Sequence, residues 1–500
     1  EELDPTGTKV NFNGSLVDII EVQHTYKVAN SADVTETIRI VPHHGPIIEW
    51  DPANNRAVSM RWTGHQADTD FDAFFGLARA KSVAEAKAAL ENATTVNQNF
   101  VVIDDQNNIG WFPYSRVPVR PWSNLETPSW MPVPGTGGYE WEGFMDYADL
   151  PQLENPPAGF IATANQDMSG ALVDGDPTND GYNMLQIFPA KGYRHERILQ
   201  LLTSGETGLT GDDLVAIQGD TLVLAGQGIV PVVLNELSLF DGVLDADQQR
   251  VVDALQAWNY TCPTGLATND PEGAVSADAG EVSEALGCTV FHVLLDTLTE
   301  KLFADDVMGS SASVRSMYSA TYVQLTNPEL FGETTFDYFD NVLTPNVQEG
   351  RLDTILAAIT EAGQRLKNAH TTDTSKWLWG RLHTLELKAD LLSAVVATYN
   401  NGTYAAPGGQ WTVNVANPAN VSDDNFTFGA GPSMRLVAEV TDNGIVSRIS
   451  FPGGQRHFRD NAFYDNLLDG WLKNEPIDLL FGSAAVDAAA TETDEILPAP

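Results

Sequence analysis

Between Phe160 and Asp180 the chain reads FIATANQDMSGALVDGDPTND: an apolar run delivers one amide, Asn165, and then a loop carrying Asp167, Asp174, Asp176 and Asp180. A lone amide at the end of an apolar run is what a strand needs in order to turn. The carboxylates are hard oxygen donors that favour hard cations, with a solvated acidic loop as the plain alternative. Downstream, GYRHERI places Arg194 and Arg197 one helical turn apart, and either could pair with Glu196 or Asp180. His43-His44 beside Gly45-Pro46 could be ligands, although such residues are more often part of a turn or strand.

Self-contained catalytic signatures are missing. There is no G-x-S-x-G elbow, no H-E-x-x-H, no Walker loop and no paired C-x-x-C. Cys262 and Cys288, 26 positions apart, suit one disulfide, which on the chain-entropy argument stabilises by roughly 3.5 kcal/mol in an oxidising compartment. Two separate buried thiols are the alternative.

The elements that must position these residues follow from periodicity. VDIIEVQHTYKV and TETIRIVP alternate with period two and read as antiparallel strands; NFVVIDDQNNIGWFPYSRVPV reads as a hairpin. VAEAKAALENA is helical, with Ser82 as its N-cap. GFIATANQ reads as a buried strand. From GYRHERILQLLTSG to GRLHTLELKADLLSAVVATYN, apolar residues recur three and four apart, so the middle of the chain is helical. Beyond Gly409 the period returns to two, through QWTVNVAN, MRLVAEVTDNGIVSRISF and FYDNLLDGWL, and these strands are expected to rejoin the first sheet. The divisions expected are 1–200 (core with pocket and oxyanion loop), 201–405 (mainly helical), 406–485 (strands rejoining the core) and 486–500 (a loose tail).

Composition narrows the partners. The 500 residues carry 27 basic and 68 acidic side chains, net −41, a charge that repels nucleic acid and anionic membranes. No run of about 18 apolar residues could span a bilayer. A first residue of Glu rather than Met points to a processed or truncated beginning.

Several stretches, in order, resemble the penicillin acylases among the N-terminal nucleophile hydrolases: HHGPII (43–48), RWTGH (61–65), NFVVIDDQNNIGW (99–111), VPVR (117–120), PVPGTGGYEWEG (132–143), GFIATANQ (159–166), GYRHERI (192–198), WLWGRLH (377–383), and GAGPSMRLVAEV through PGGQRHFRDNAFYDNLLDGW (429–471). The resemblance covers nearly the whole chain.

What it implies is an α+β, four-layer αββα body with a long helical middle section. It also implies hydrolysis of N-acyl amides by a serine whose own α-amine is the base. That serine lies on an upstream segment of the same precursor, beside a small subunit, so this chain alone is expected to be inactive. By the same resemblance Asn165 matches the oxyanion donor, and Arg194 the residue that orients Asn and the amine, with Arg197 its competitor. Trp62 matches an aromatic wall of the acyl pocket, and Gln98 a pocket position that is usually apolar. Asp176 matches a calcium ligand, with Asp174 and Asp180 open, so a structural calcium and no organic cofactor are expected. The substrate is expected to be a small N-acyl amide, such as a β-lactam, an acyl-homoserine lactone or an acylated peptide, and the location periplasmic or secreted. A noncatalytic secreted calcium-binding scaffold is the alternative.

Overall fold

The computed structural model describes residues 1–500 except 67, 93, 96, 173–175, 177, 180–188, 206, 309–313, 332–336, 345, 394, 395, 397, 398, 419–425, 443 and 492–500. Helices and antiparallel sheets are both present, the mixed α+β composition expected. The chain forms two compact units, Glu1–Gly192 and Tyr193–Pro500.

The first unit is built of short antiparallel sheets. Strands β1 (Lys9–Phe12) and β2 (Ser15–Asp18) pair with each other, and β3 (Ile20–Tyr26), β4 (Val34–Val41), β5 (Gly45–Asp51) and β6 (Arg56–Ser59) form a meander. The helices α1 (Asp70–Leu77) and α2 (Val83–Leu90) follow. Ser82 caps α2, its Oγ accepting the Glu85 N–H at 3.2 Å. The expected hairpin is β7 (Gln98–Ile103) and β8 (Ile109–Tyr114), to which β9 (Leu153–Glu154) adds. Asp104 closes its turn by accepting backbone N–H groups of Asn108, Gln106 and Val83, bonds that hold its carboxyl down at about 2. Ala73, Val83, Leu90, Phe112 and Tyr114 make the core beneath this hairpin.

The second unit packs around one helix. Its helices are α3 (Tyr193–Leu202), α4 (Gly211–Gln218), α5 (Leu224–Leu237), α6 (Ala246–Ala257), α7 (Ala279–Phe303), α8 (Tyr318–Thr326), α9 (Arg351–His370) and α10 (Trp379–Leu382). From Thr289 to Thr299 every residue of α7 is buried, so the helix sits in the centre of the core with α6, α8 and α9 against it. Cys288 on α7 is bonded to Cys262, with Cα atoms 5.3 Å apart. No described helix is long and apolar enough to cross a membrane.

Two local expectations are corrected. GRLHTLELKADLLSAVVATYN is not one helix: α10 ends at Leu382 and β10 (Thr384–Leu387) pairs with β11 (Asn401–Ala405), because Leu385 and Leu387 alternate with Thr384 and Glu386. A short α11 (Asp390–Ser393) lies between these strands. The strands β12 (Asn417–Pro418) and β13 (Phe428–Ala430) pair, while β14 (Arg435–Thr441), β15 (Gly444–Ser450) and β16 (Ile477–Leu479) form their own sheet, both edges of β15 being taken. Within FYDNLLDGWL, Leu468, Trp471 and Leu472 fall on one buried face of α12 (Leu468–Leu472) rather than on a strand. A last helix, α13, spans Ser483–Ala489.

Burial in this core has a pH consequence. His292 on α7 donates from Nδ1 to the Cys288 carbonyl at 2.8 Å and accepts the Gln410 N–H at Nε2 at 3.0 Å, so it is held neutral. Desolvation pushes its pKa down to about 3. An unfolded His titrates near ~6.5 and takes up a proton that the folded one refuses. This contribution is therefore complete above that pH and lost as pH falls towards the folded value, about 2 kcal/mol between pH 7 and pH 5. His383, also buried and pushed down to about 4, acts in the same direction. The urea midpoint, followed by tryptophan fluorescence, is expected to be lower at pH 5 than at pH 7; an equal or higher midpoint would contradict this account.

Candidate active site

The stretch ending in Asn165 is not a strand: residues 159–166 form no ladder among the described residues. Its backbone is tied by side chains instead. Gln166 accepts the Ala164 N–H on Oε1 at 2.6 Å and donates from Nε2 to the Ala162 carbonyl at 3.2 Å. On the other side Asp167 gathers the Ser169 N–H at 2.9 Å, the Ser169 hydroxyl at 2.6 Å, the Gly170 N–H at 3.2 Å and the Leu172 N–H at 2.9 Å. Desolvation works to raise the Asp167 pKa, but these bonds outweigh it and hold the carboxyl below its ordinary value. Between the two clamps Asn165 takes a left-handed backbone, φ +63°, which an Asn tolerates far better than most side chains. Its carbonyl accepts the Ala190 N–H at 2.7 Å. Asn165 thus does turn the chain, and the residue lines a cavity at the same time.

That cavity, about 220 Å³, brings Asn165 and Gln98 together, along with Asn97, Asn99, Ser115 and Ser169. Its polar lining is dominated by uncharged donors and acceptors. Rigid partners fix several of them: Trp111 Nε1 donates to Asn99 Oδ1 at 2.8 Å, and Ser115 donates to Asn97 Oδ1 at 2.8 Å. Asn97 and Ser115 also line a second cavity of about 180 Å³, whose walls include Trp62, Arg61, Arg116, Arg120 and Trp141. Trp62 is 51% exposed and so is a wall rather than core. Its ring lies so close to Gly64 that a Cβ there would come within 2.5 Å. The guanidinium groups of Arg61 and Arg116 stand over the rings of Trp141 and Phe144 at 4.5 and 3.9 Å, a cationic patch in a strongly acidic chain.

Arg194 stands in the first turn of α3, in the second unit, where burial lowers its pKa. Its competitor Arg197 is committed to Asp220, with Nε and Nη2 at 3.0 and 2.7 Å from the two carboxylate oxygens. Tyr193 stacks on Trp411 at 4.3 Å and anchors the start of the helix. Asp174 and Asp180 lie outside the described residues. Asp176 accepts the N–H and hydroxyl of Thr178 on one oxygen, at 2.9 and 2.5 Å.

Sequence reasoning missed Asn97, Asn99 and Ser115, and took Asp167 only as one carboxylate of an acidic loop. The run Asn97-Gln98-Asn99 opening a strand was a visible signal, since three amides there are poor strand formers. Asp167-Met-Ser-Gly also carries the spacing of a side-chain-capped turn.

Comparison with known proteins fits this geometry. The family model described as penicillin amidase matches residues 1–488. An acyl-homoserine lactone acylase, QuiP, of Pseudomonas syringae pv. tomato is 25% identical over 95% of this chain and 56% of its own length. The penicillin acylase 2 proenzyme of Pseudomonas sp. SE83 is 32% identical over 47% of this chain and 28% of its own. The thermostable penicillin G acylase of Alcaligenes faecalis superposes with a TM-score of 0.71 at 16% identity, covering all of this chain and 85% of that one, and shows the fold. The chain spans little more than half the length of the QuiP acylase. With a match running nearly from end to end, the chain belongs to the penicillin amidase family.

Proposed function

We propose that the protein hydrolyses the amide bond of small N-acyl substrates, the class that includes acyl-homoserine lactones, penicillins and acylated peptides. A serine on a part of the protein outside this chain attacks the amide carbonyl while its own α-amine takes the hydroxyl proton. Negative charge gathers on the carbonyl oxygen, and the Asn165 amide donates to it. The amine leaves with the proton, and water then releases the acid from the acyl-enzyme. Arg194 is assigned to orient the amide and the α-amine, and Trp62 and Gln98 to contact the acyl group. The observation that carries this reading is Asn165 itself, an uncharged donor on a cavity wall, clamped on both sides by Gln166 and Asp167. The Cys262–Cys288 bond supports an oxidising compartment, periplasmic or secreted.

The test is amine release from a panel of N-acyl amides by the full-length protein. Asn165→Gly keeps the left-handed backbone and deletes only the amide. It is expected to lower kcat by about 10²–10³ with little change in KM, and wild-type turnover would remove Asn165 from the mechanism. Asn165→Ala adds backbone strain of about 1 kcal/mol, visible as a lower unfolding midpoint than that of the glycine variant.

Asp167→Ala releases the loop from 167 to 172. It is expected to lower kcat about tenfold through loss of positioning and to open this segment to limited proteolysis. A protease-resistant, fully active variant would show that the Asp167 clamp is dispensable.

A further inference from the structure

His43 and His44 form the turn between β4 and β5, and the Glu1 side chain reaches them from the start of the chain. Glu1 is only 1% exposed at its side chain. Its Oε1 is well partnered, by His44 Nδ1 at 2.6 Å and by the Ser59 hydroxyl at 2.5 Å. Its Oε2 is buried with no hydrogen-bond partner. The room around Oε2 exists because residue 135 is glycine, where a Cβ would come within 2.5 Å of that oxygen. His43 shows the same anomaly: its ring stacks on Phe12 at 3.9 Å and its Nε2 is buried without a partner. Two unsatisfied buried polar atoms in one cluster are costly and call for a ligand that is not protein.

One ligand atom each from Glu1, His43 and His44 lies within 4.8 Å of the others. Two imidazoles and a carboxylate are the donor set of a four-coordinate zinc-type ion with one position left for water, and a poor set for calcium or magnesium. Outside the three, Glu140 Oε1 holds His44 Nε2 at 2.9 Å, and its other oxygen is tied to Arg61 at 3.2 Å. A carboxylate on the far nitrogen of a histidine fixes the ring and raises its strength as a ligand. Glu1, His44, Gly135 and Glu140 also line a cavity of about 290 Å³, which gives an entry path.

We propose that Glu1, His43 and His44 bind one divalent transition cation, zinc or its spectroscopic substitute cobalt, with Glu140 as the positioning residue for His44. The ion takes the place of the hydrogen bond between His44 Nδ1 and Glu1. It pins the β4–β5 turn and the Glu140 loop to the chain start within the first unit. The site is separate from the cavity at Asn165, and its occupancy is measured without reference to amide hydrolysis.

The experiment is titration of the chelator-treated full-length protein with zinc and with cobalt, in excess calcium so that the acidic surface is already screened. One ion per site is expected, with the visible ligand-field bands of four-coordinate cobalt. His43→Phe keeps the stack on Phe12 but removes the nitrogen and is expected to weaken binding at least tenfold. Glu140→Gln is expected to weaken it about tenfold while leaving one ion bound. Circular dichroism checks that each variant is folded. No stoichiometric binding by the wild type, or unchanged affinity in both variants, would overturn the proposal.

Discussion

A helix buried on every side leaves its polar side chains no water to turn to, and α7 carries five such residues through the middle of the second unit. Each is answered by a particular neighbour. Asp296 pairs with Arg365 at 2.8 Å and takes the Tyr318 hydroxyl at 3.1 Å; Thr297 donates to the Ala358 carbonyl at 3.1 Å; Thr299 meets Thr321 at 2.7 Å. These bonds fix where α8 and α9 must lie, because sliding either helix by a turn would strand a buried group. His292 and Cys288 extend the same control to the loop around Gln410 and to Cys262. Apolar burial supplies the driving force, and the polar groups select one arrangement from those it would allow.

The first unit solves a different problem. Its sheets are small, and long stretches such as 115–146 have little regular structure to satisfy their backbone. Side-chain carboxylates do that work: Asp4 gathers the Thr8 and Lys9 amides, Asp104 closes the β7–β8 turn, and Asp167 ties the loop after Asn165. Part of the chain's acidity is therefore structural, since aspartate is the side chain best suited to collecting several amides at a tight turn.

Where period and packing agree, the sequence was readable. The β7–β8 hairpin and the long helices α7 and α9 have apolar residues that mark one face or, for α7, nearly all of them, while the β3–β4 pair was legible from its period alone, every residue of β3 being exposed. Reading failed where two periods overlap over a few residues, as in Thr384–Leu387, or where order comes from side-chain bonds rather than periodicity, as in 159–172. Asn165, Arg194, Trp62 and Gln98 could be singled out by motif resemblance. That Asn165 shares a cavity with Asn97 and Asn99 could not, because that closeness is set by chain turns with no short-range signature.

The left-handed backbone at Asn165 narrows what evolution can place there. Glycine, asparagine and aspartate adopt that conformation most readily, and of these only asparagine presents a neutral amide donor. On the proposed mechanism, aspartate would set a negative charge where negative charge has to accumulate, and glycine would set nothing. On that same proposal a lineage that abandoned the chemistry could drift to either without disturbing the fold, so the identity of this one residue in a relative would distinguish a working hydrolase from an inherited shell.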